Sequence, residues 1–241
     1  EVAEAAKVVE NVQRDINIAL VNELARIFPE LDVDVEEVLT AAETKWNFHR
    51  YTPGVGVGGH CIPVDPYYLK QRAEEVGVPA ELISAARSVN RSMPRYVSNT
   101  LVSILSENNC ETKGAKVGFL GWSYKPKIGD DRESPALELA EFLHQRGAEI
   151  YIVDPYIDSK NLPEYVNLVE GWNKFEDLDL IVMNTAHPEF RNIIWEDMEN
   201  NMRHKIVYDG RRVLPLDKLE DMGWAVYAIG KPRKFNEFEE D

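Results

Sequence analysis

Only two cysteines occur in the 241 residues, Cys61 and Cys110, and no C-x-x-C spacing joins them. Neither a disulfide framework nor a zinc knuckle is therefore indicated. His49 and His187 lack ligand-spaced partners, so no metal site is expected. No apolar run approaches the ~20 residues of a membrane span, and no charged leader precedes an apolar signal segment. A soluble, cytoplasmic protein is expected. Basic charge is also scarce: 27 Lys and Arg face 42 Asp and Glu, a formal net charge of −15. Such a field repels nucleic acid and anionic membranes, so an anionic ligand would need a local basic pocket.

What the chain does have is an apolar fraction of 44%, ample for real cores. Its length suits two compact units, or one large α/β domain. Apolar residues at 9, 12, 16, 20, 24 and 27 mark one face of a long helix reaching about Phe28. That helix opens at Glu1 with no initiator Met and no clear cap, as expected for the middle of a longer protein. Further helices are expected over 31–42, from Asp65-Pro66 to about Val76, and over 80–107, where Pro94 would bend or divide the last. A polar hinge at 108–114 ends this helical half. After it, β-like runs at 116–120, 149–153, 178–183, 205–208 and 224–229 alternate with helical patterns such as 135–146. Alternation of this kind predicts a parallel sheet with helices on both faces. The charged tail after Lys231 is expected to fray.

Pro53 to Pro66 is the most unusual stretch. Its glycines, at 54, 56, 58 and 59, permit tight turns and close approach of a ligand. Cys61 lies shortly before a helix start, where the helix dipole favours thiolate, although a buried structural thiol beside a flexible loop is the plainer reading. Cys110, in the hinge, reads as structural or incidental.

The run Gly58-Gly59-His60-Cys61-Ile62-Pro63-Val64-Asp65-Pro66 resembles the active-site loop of the UDP-glucose/GDP-mannose dehydrogenase family, particularly its UDP-N-acetylhexosamine branch. Two other blocks resemble that family in the same order. Lys7 to Leu20 is similar to its central-domain helix, and Gly121-Trp122-Ser123-Tyr124-Lys125-Pro126 with Arg132-Glu133-Ser134-Pro135 is similar to its nucleotide loop. The resemblance implies an all-helical dimerisation domain, residues 1–110, followed by a Rossmann-like, UDP-binding α/β domain, residues 111–241. It also implies a homodimer through the helices at 1–28 and 80–107.

Such enzymes oxidise a sugar C6 alcohol to a carboxylate with two NAD, by way of a thiohemiacetal and a thioester on a loop thiol, which Cys61 matches. Lys7 and Asn11, one helical turn apart, match oxyanion-stabilising donors. Asp65 matches an Asp that helps to activate water, and is equally well placed to cap its helix. Tyr124, Lys125 and Arg132 match contacts to the nucleotide diphosphate, with Arg211, Gly58, Tyr51 and Arg14 as further substrate-binding candidates. Arg14 and Asp15 could instead form a helix-stabilising ion pair. Lys45 or Arg50 would reach a partner's active site. His60, next to the thiol, is not the general base. Gly129-Asp130-Asp131 before Arg132 departs from the usual pattern of two acidic residues and an apolar one. No G-x-G-x-x-G follows a strand, so the NAD-binding Rossmann domain would lie outside this chain, which alone would be inactive. Asp154, at a strand end, could mimic a ribose-binding acid. A non-catalytic nucleotide-sugar-binding and dimerisation module, or an enzyme for UDP-GlcNAc or UDP-glucose instead of UDP-ManNAc, are the alternatives.

Overall fold

The computed structural model describes residues 1–233; the tail expected to fray lies, from residue 234 on, outside them. Helix α1 (Val2–Ile27) forms where its spacing predicts, but it buries Val12, Ala19, Val21 and Ala25, whereas Val9, Leu20 and Ile27 of the expected apolar face are exposed. A 3-10 turn at Phe28–Leu31 ends with Asp32 in the left-handed region, φ 56°, so α2 spans Val35–Glu43 and starts later than expected. Its cap is Asp34, whose carboxylate accepts from the Glu36 N–H at 2.8 Å. Helices α3 (Asp65–Glu75) and α4 (Glu81–Glu107) complete the first half. Pro94 does not divide α4, which is one 27-residue helix. An interior Pro costs about 3 kcal/mol, whereas each fully buried large apolar side chain contributes about 1.5–3 kcal/mol. Met93, Val97, Leu101, Ile104 and Leu105 are all fully buried, so packing wins.

After residues 108–114 come β1 (Lys116–Leu120), α5 (Pro135–His144), β2 (Glu149–Val153), β3 (Val166–Leu168), β4 (Leu180–Met183), α6 (Trp195–Met198), β5 (Ile206–Asp209), α7 (Leu216–Asp221) and β6 (Ala225–Ala228). Among the described residues the five pairings between these strands are all parallel, in the order β3-β2-β1-β4-β5-β6. This is the strand order of doubly wound nucleotide-binding sheets, with its reversal between β1 and β4. Edge strand β3 was not expected: Val166-Asn167-Leu168 is too short to display a period. Alternate residues face opposite layers. Phe119, Ile150, Ile152 and Val182 pack with Leu139 and Leu143 of α5, while Leu120, Val153, Ile181 and Val207 pack with Phe190 and Trp195.

The first of these cores continues without a break into the helical half, taking in Val21, Ala25, Val35, Leu39 and Val97. Polar stitches fix the same seam. Arg212 grips Asp34 at 2.7 and 3.0 Å, Val35 N–H donates to the Gly230 carbonyl at 2.9 Å, and Asn108 donates to the Tyr227 hydroxyl at 2.9 Å.

Between α1 and α4 runs a buried polar chain. Arg87 pairs with Asp15, and Asn90 donates to the Asp15 carboxylate at 2.8 Å and to its carbonyl at 2.9 Å. Asn22 donates to Asn90 at 2.9 Å and accepts from the Gly54 N–H at 2.9 Å, so the chain ends on the thiol loop. Asp15 thus pairs across helices and not with Arg14, which is exposed. Burial pushes the Asp15 carboxyl above its ordinary range, opposed by Arg87 and Asn90. Arg87→Ala strands that charge and should cost about 3–5 kcal/mol in urea unfolding. Adding Asp15→Asn, which keeps an acceptor for Asn90, should recover part of it; equal losses in the single and double variants would contradict this.

Candidate active site at the seam

The thiol loop crosses from α2 to α3 over the carboxyl end of the sheet. Its conformation is set by what its glycines touch. A Cβ on Gly58 would lie 2.6 Å from the Glu133 carbonyl and 2.7 Å from Tyr124 Cβ, and one on Gly59, φ 92°, would lie 2.8 Å from the Tyr124 ring. Two of the three blocks singled out in the sequence, the thiol loop and the 121–134 loop, are therefore in direct contact. Gly58 serves this close approach. Gly54 lies against the Arg211 guanidinium, whose Nε–H donates to the Asn184 carbonyl at the sheet's reversal point. Burial pulls Arg211 down to about 10, with Asp209 opposing, so it stays charged at neutral pH.

Cys61 is exposed on this loop, and its carbonyl accepts from the N–H groups of Val64 and Asp65 at 3.1 and 2.8 Å. Asp65 does not cap α3: it is the first residue within that helix, and no side-chain cap bond is formed. Its carboxylate instead accepts from Asn11 Nδ2 at 2.6 Å, which draws α1 against the start of α3 just behind the thiol. Asn11 is buried; Lys7, one turn earlier, is exposed and lies 3.4 Å from Glu10. Tyr51 is half-buried against the main core, and Lys125 is exposed. Arg50 is held on α2 by Glu36, Glu43 and Thr40, whereas Lys45 is exposed.

Residues 121–134, the loop that resembles the family's nucleotide loop, are held from beneath. Ser134 caps α5 and donates to the Trp122 carbonyl at 2.6 Å. Lys127 and Glu133 both adopt positive φ, 63° and 55°, a conformation that functional loops tolerate when their surroundings enforce it. Enforcement comes from Asp154, 6% exposed, whose Oδ2 accepts from the N–H groups of Trp122 and Ser123 at 2.7 and 2.8 Å and from His187 at 3.0 Å. Lys127 N–H donates to His187 Nδ1 at 3.2 Å, so His187 carries its proton on Nε2, facing Asp154. Ser123 meets that same nitrogen at 3.1 Å. Using one ring nitrogen for both partners makes the trio a brace and not a proton relay.

The brace bears on cofactor chemistry. A dinucleotide's pyrophosphate needs free N–H groups in the first strand-to-helix turn, and its ribose needs an accessible acid after the second strand. Here Asp154 consumes both N–H groups, and a Cβ on Gly121 would meet the Thr185 carbonyl at 2.5 Å. These residues do not fit NAD. Cys110, Asp179 and His204 also lie together, but Asp179 is already taken by Lys116 N–H, Arg203 and His204.

Sequence reasoning missed Asp154 as a brace, the Asn22–Asn90 pair, and the partner of His60. The His60 ring nitrogen lies 3.0 Å from Asp130, which in turn receives Arg132 through Nε–H and Nη2–H at 2.9 Å each. Only Asp154, placed directly after a strand, carried a signal of its own.

Gly58→Ala should push the nucleotide loop off the thiol loop and speed proteolysis within residues 53–64, whereas Gly171→Ala, which meets only the Asn173 side chain, should not; equal cleavage would contradict the docking. Burial pushes the Asp154 carboxyl up, but His187 and the backbone N–H groups outweigh it and hold it at about 2. A depressed carboxylate stabilises fully above its unfolded pKa near ~3.9 and loses that contribution as pH falls through about 2. The stability gap between wild type and Asp154→Asn, measured by urea unfolding, should therefore narrow from pH 5 to pH 2; a constant gap would refute the assignment.

Comparison with known proteins finds matches in both halves of the chain. Residues 1–92 match the central domain of the UDP-glucose/GDP-mannose dehydrogenase family, and residues 118–216 match that family's UDP binding domain. A UDP-N-acetyl-D-glucosamine 6-dehydrogenase of Salmonella typhi is 39% identical over 220 residues, 90% of this chain and 52% of that protein. A UDP-N-acetyl-D-mannosamine dehydrogenase of Pyrococcus horikoshii is 38% identical over 229 residues, 95% of this chain and 52% of that protein. A solved UDP-D-ManNAc dehydrogenase structure from Pyrococcus horikoshii superposes with a TM-score of 0.80 at 34% identity, over 95% of this chain and 52% of that one. The chain spans about half the length of the curated relatives it matches. With both family domains matched in order on the fold they require, the chain belongs to the UDP-glucose/GDP-mannose dehydrogenase family.

Proposed function

We propose that this chain is the thiol-bearing, substrate-binding part of an NAD-dependent UDP-N-acetylhexosamine 6-dehydrogenase, with the helical domain at 1–110 and the UDP-binding domain at 111–241. The observation that carries the reading is the packing of Gly58-Gly59 on Tyr124, which puts an exposed Cys61 beside the loop that would hold the nucleotide. Tyr124, Lys125, Arg132 and Arg211 would bind the UDP end, giving an acidic protein the local cations a diphosphate needs. NAD, the acceptor of both hydrides, would be held outside this chain.

In this reading the C6 alcohol is first oxidised to an aldehyde, and Cys61 Sγ adds to its carbonyl carbon. Lys7 and Asn11 stabilise the resulting oxyanion. Loss of the second hydride leaves a thioester, and water, oriented by Asp65, releases the carboxylate and restores the thiol. Asn11 and Asp65 are already hydrogen-bonded to each other at 2.6 Å, which suits that shared duty. An exposed free thiol suits the reducing cytoplasm. Relatives named for the mannosamine and for the glucosamine sugar both resemble the chain; of the two epimers we favour UDP-ManNAc.

A homodimer would form through α1 and α4, on which Val9, Leu20, Ile27 and Leu82 are exposed. With Arg50 held by α2, Lys45 is the better candidate to reach the partner's site. By itself the chain would act as a nucleotide-sugar-binding and dimerisation module, because its sheet does not fit NAD.

The full-length parent should form two NADH per UDP-N-acetylhexosamine, and Cys61→Ser should abolish or stall turnover. One NADH per sugar, or a fully active serine variant, would overturn the proposal.

A further inference from the structure

Asp130 stands between two cations or potential cations that belong to different loops. Arg132 holds it by a planar two-bond fork, and His60, 70 positions earlier and next to Cys61, reaches its Oδ2 at 3.0 Å. Asp130 is also fixed by its own backbone: its Oδ1 accepts from the Arg132 N–H at 3.1 Å and its carbonyl from the Tyr124 N–H at 3.1 Å. A carboxylate forked by arginine occupies the same donor pair that a phosphate oxygen pair would take. The Arg132 guanidinium, aided by His60, holds the Asp130 carboxyl well below the usual carboxylate range.

We propose that His60 is a positioning residue that couples occupancy of the nucleotide loop to the placement of Cys61. A diphosphate arriving at Arg132 competes with Asp130 for the guanidinium. The Asp130 carboxylate, freed from the fork, then reorients together with the His60 ring it already meets at 3.0 Å. Because His60 is the residue before Cys61, its backbone carries that movement to the thiol. His60 thus lowers the cost of releasing Arg132 and, in exchange, receives the signal that nucleotide is bound. The coupling is reciprocal by necessity: whatever nucleotide does to the thiol loop, the thiol loop does to nucleotide affinity. This inference rests on the reading of 121–134 as the nucleotide loop.

The test uses the 241-residue chain and UDP, which lacks a sugar and so does not cover the thiol. UDP affinity is measured by calorimetry. The rate of Cys61 alkylation by iodoacetamide is followed by peptide mass spectrometry with and without saturating UDP, and buried Cys110 serves as internal reference. In wild type, UDP should change the Cys61 rate by about fivefold or more. His60→Ala should bind UDP more weakly and lose the rate change. His60→Gln, whose amide nitrogen can still reach Asp130, should restore both. Asp130→Asn should bind UDP more tightly than wild type, with no rate change on binding. A rate change that survives in His60→Ala, or is lost equally in His60→Gln, would overturn the coupling and leave nucleotide binding standing. Failure of wild type to bind UDP would overturn both.

Discussion

The arrangement depends first on the buried chain from Arg87 through Asp15, Asn90 and Asn22 to the Gly54 N–H. Its members pair with one another across the two helices, which favours one register; a slip would leave a buried charge and two amides without these partners. Its last link is the one that matters for chemistry. By fixing the Gly54 N–H, the network starts the thiol loop from a rigid point, and the glycines that follow can then lie flat against Tyr124 and Glu133. A loop this rich in glycine would otherwise keep too much conformational freedom to hold the Cys61 thiol in place.

The second constraint is that the helical and α/β halves share one core. Val35 and Leu39 from α2 pack in the same cluster as Phe119 and Ile150 of the sheet, and Arg212 reaches across to Asp34. The site at their junction is therefore built on two rigid supports and not on a hinge. Asp154 and His187 do the same for the nucleotide loop from below, spending on internal bracing the N–H groups that a dinucleotide would use. That choice separates a sheet of this strand order from one that holds NAD.

Much of this was legible from residues alone, and the reasons are physical. The existence of helix α1 was legible in its spacing, although the apolar stripe at Val9, Leu20 and Ile27 is exposed and the helix buries Asn11, Asp15 and Asn22 instead; β1 and β2 were legible as apolar runs that match their observed bounds, Lys116–Leu120 and Glu149–Val153. The juxtaposition of Cys61 with the 121–134 loop came only from resemblance, because no local pattern says which distant loop a glycine will touch. Of the two outcomes expected at Pro94, division of the helix did not occur: the local cost of the proline was visible and the buried side chains that outweigh it were not. Asp65 misled in the opposite way. An Asp before Pro is a good cap by local rules, but Asn11, 54 positions away, claims its carboxylate. His60 and Asp130 were both noticed singly, and neither could announce the other across 70 positions.

The central claim is that Cys61 becomes covalently attached to the sugar during oxidation. Rapid acid quenching of the full-length parent in steady state with UDP-ManNAc and NAD, followed by peptide mass spectrometry, tests it most directly. The account predicts a substrate-derived acyl adduct confined to the peptide bearing Cys61 and released by hydroxylamine. Turnover to the uronic acid with that peptide always unmodified, or an adduct at another residue, would contradict it.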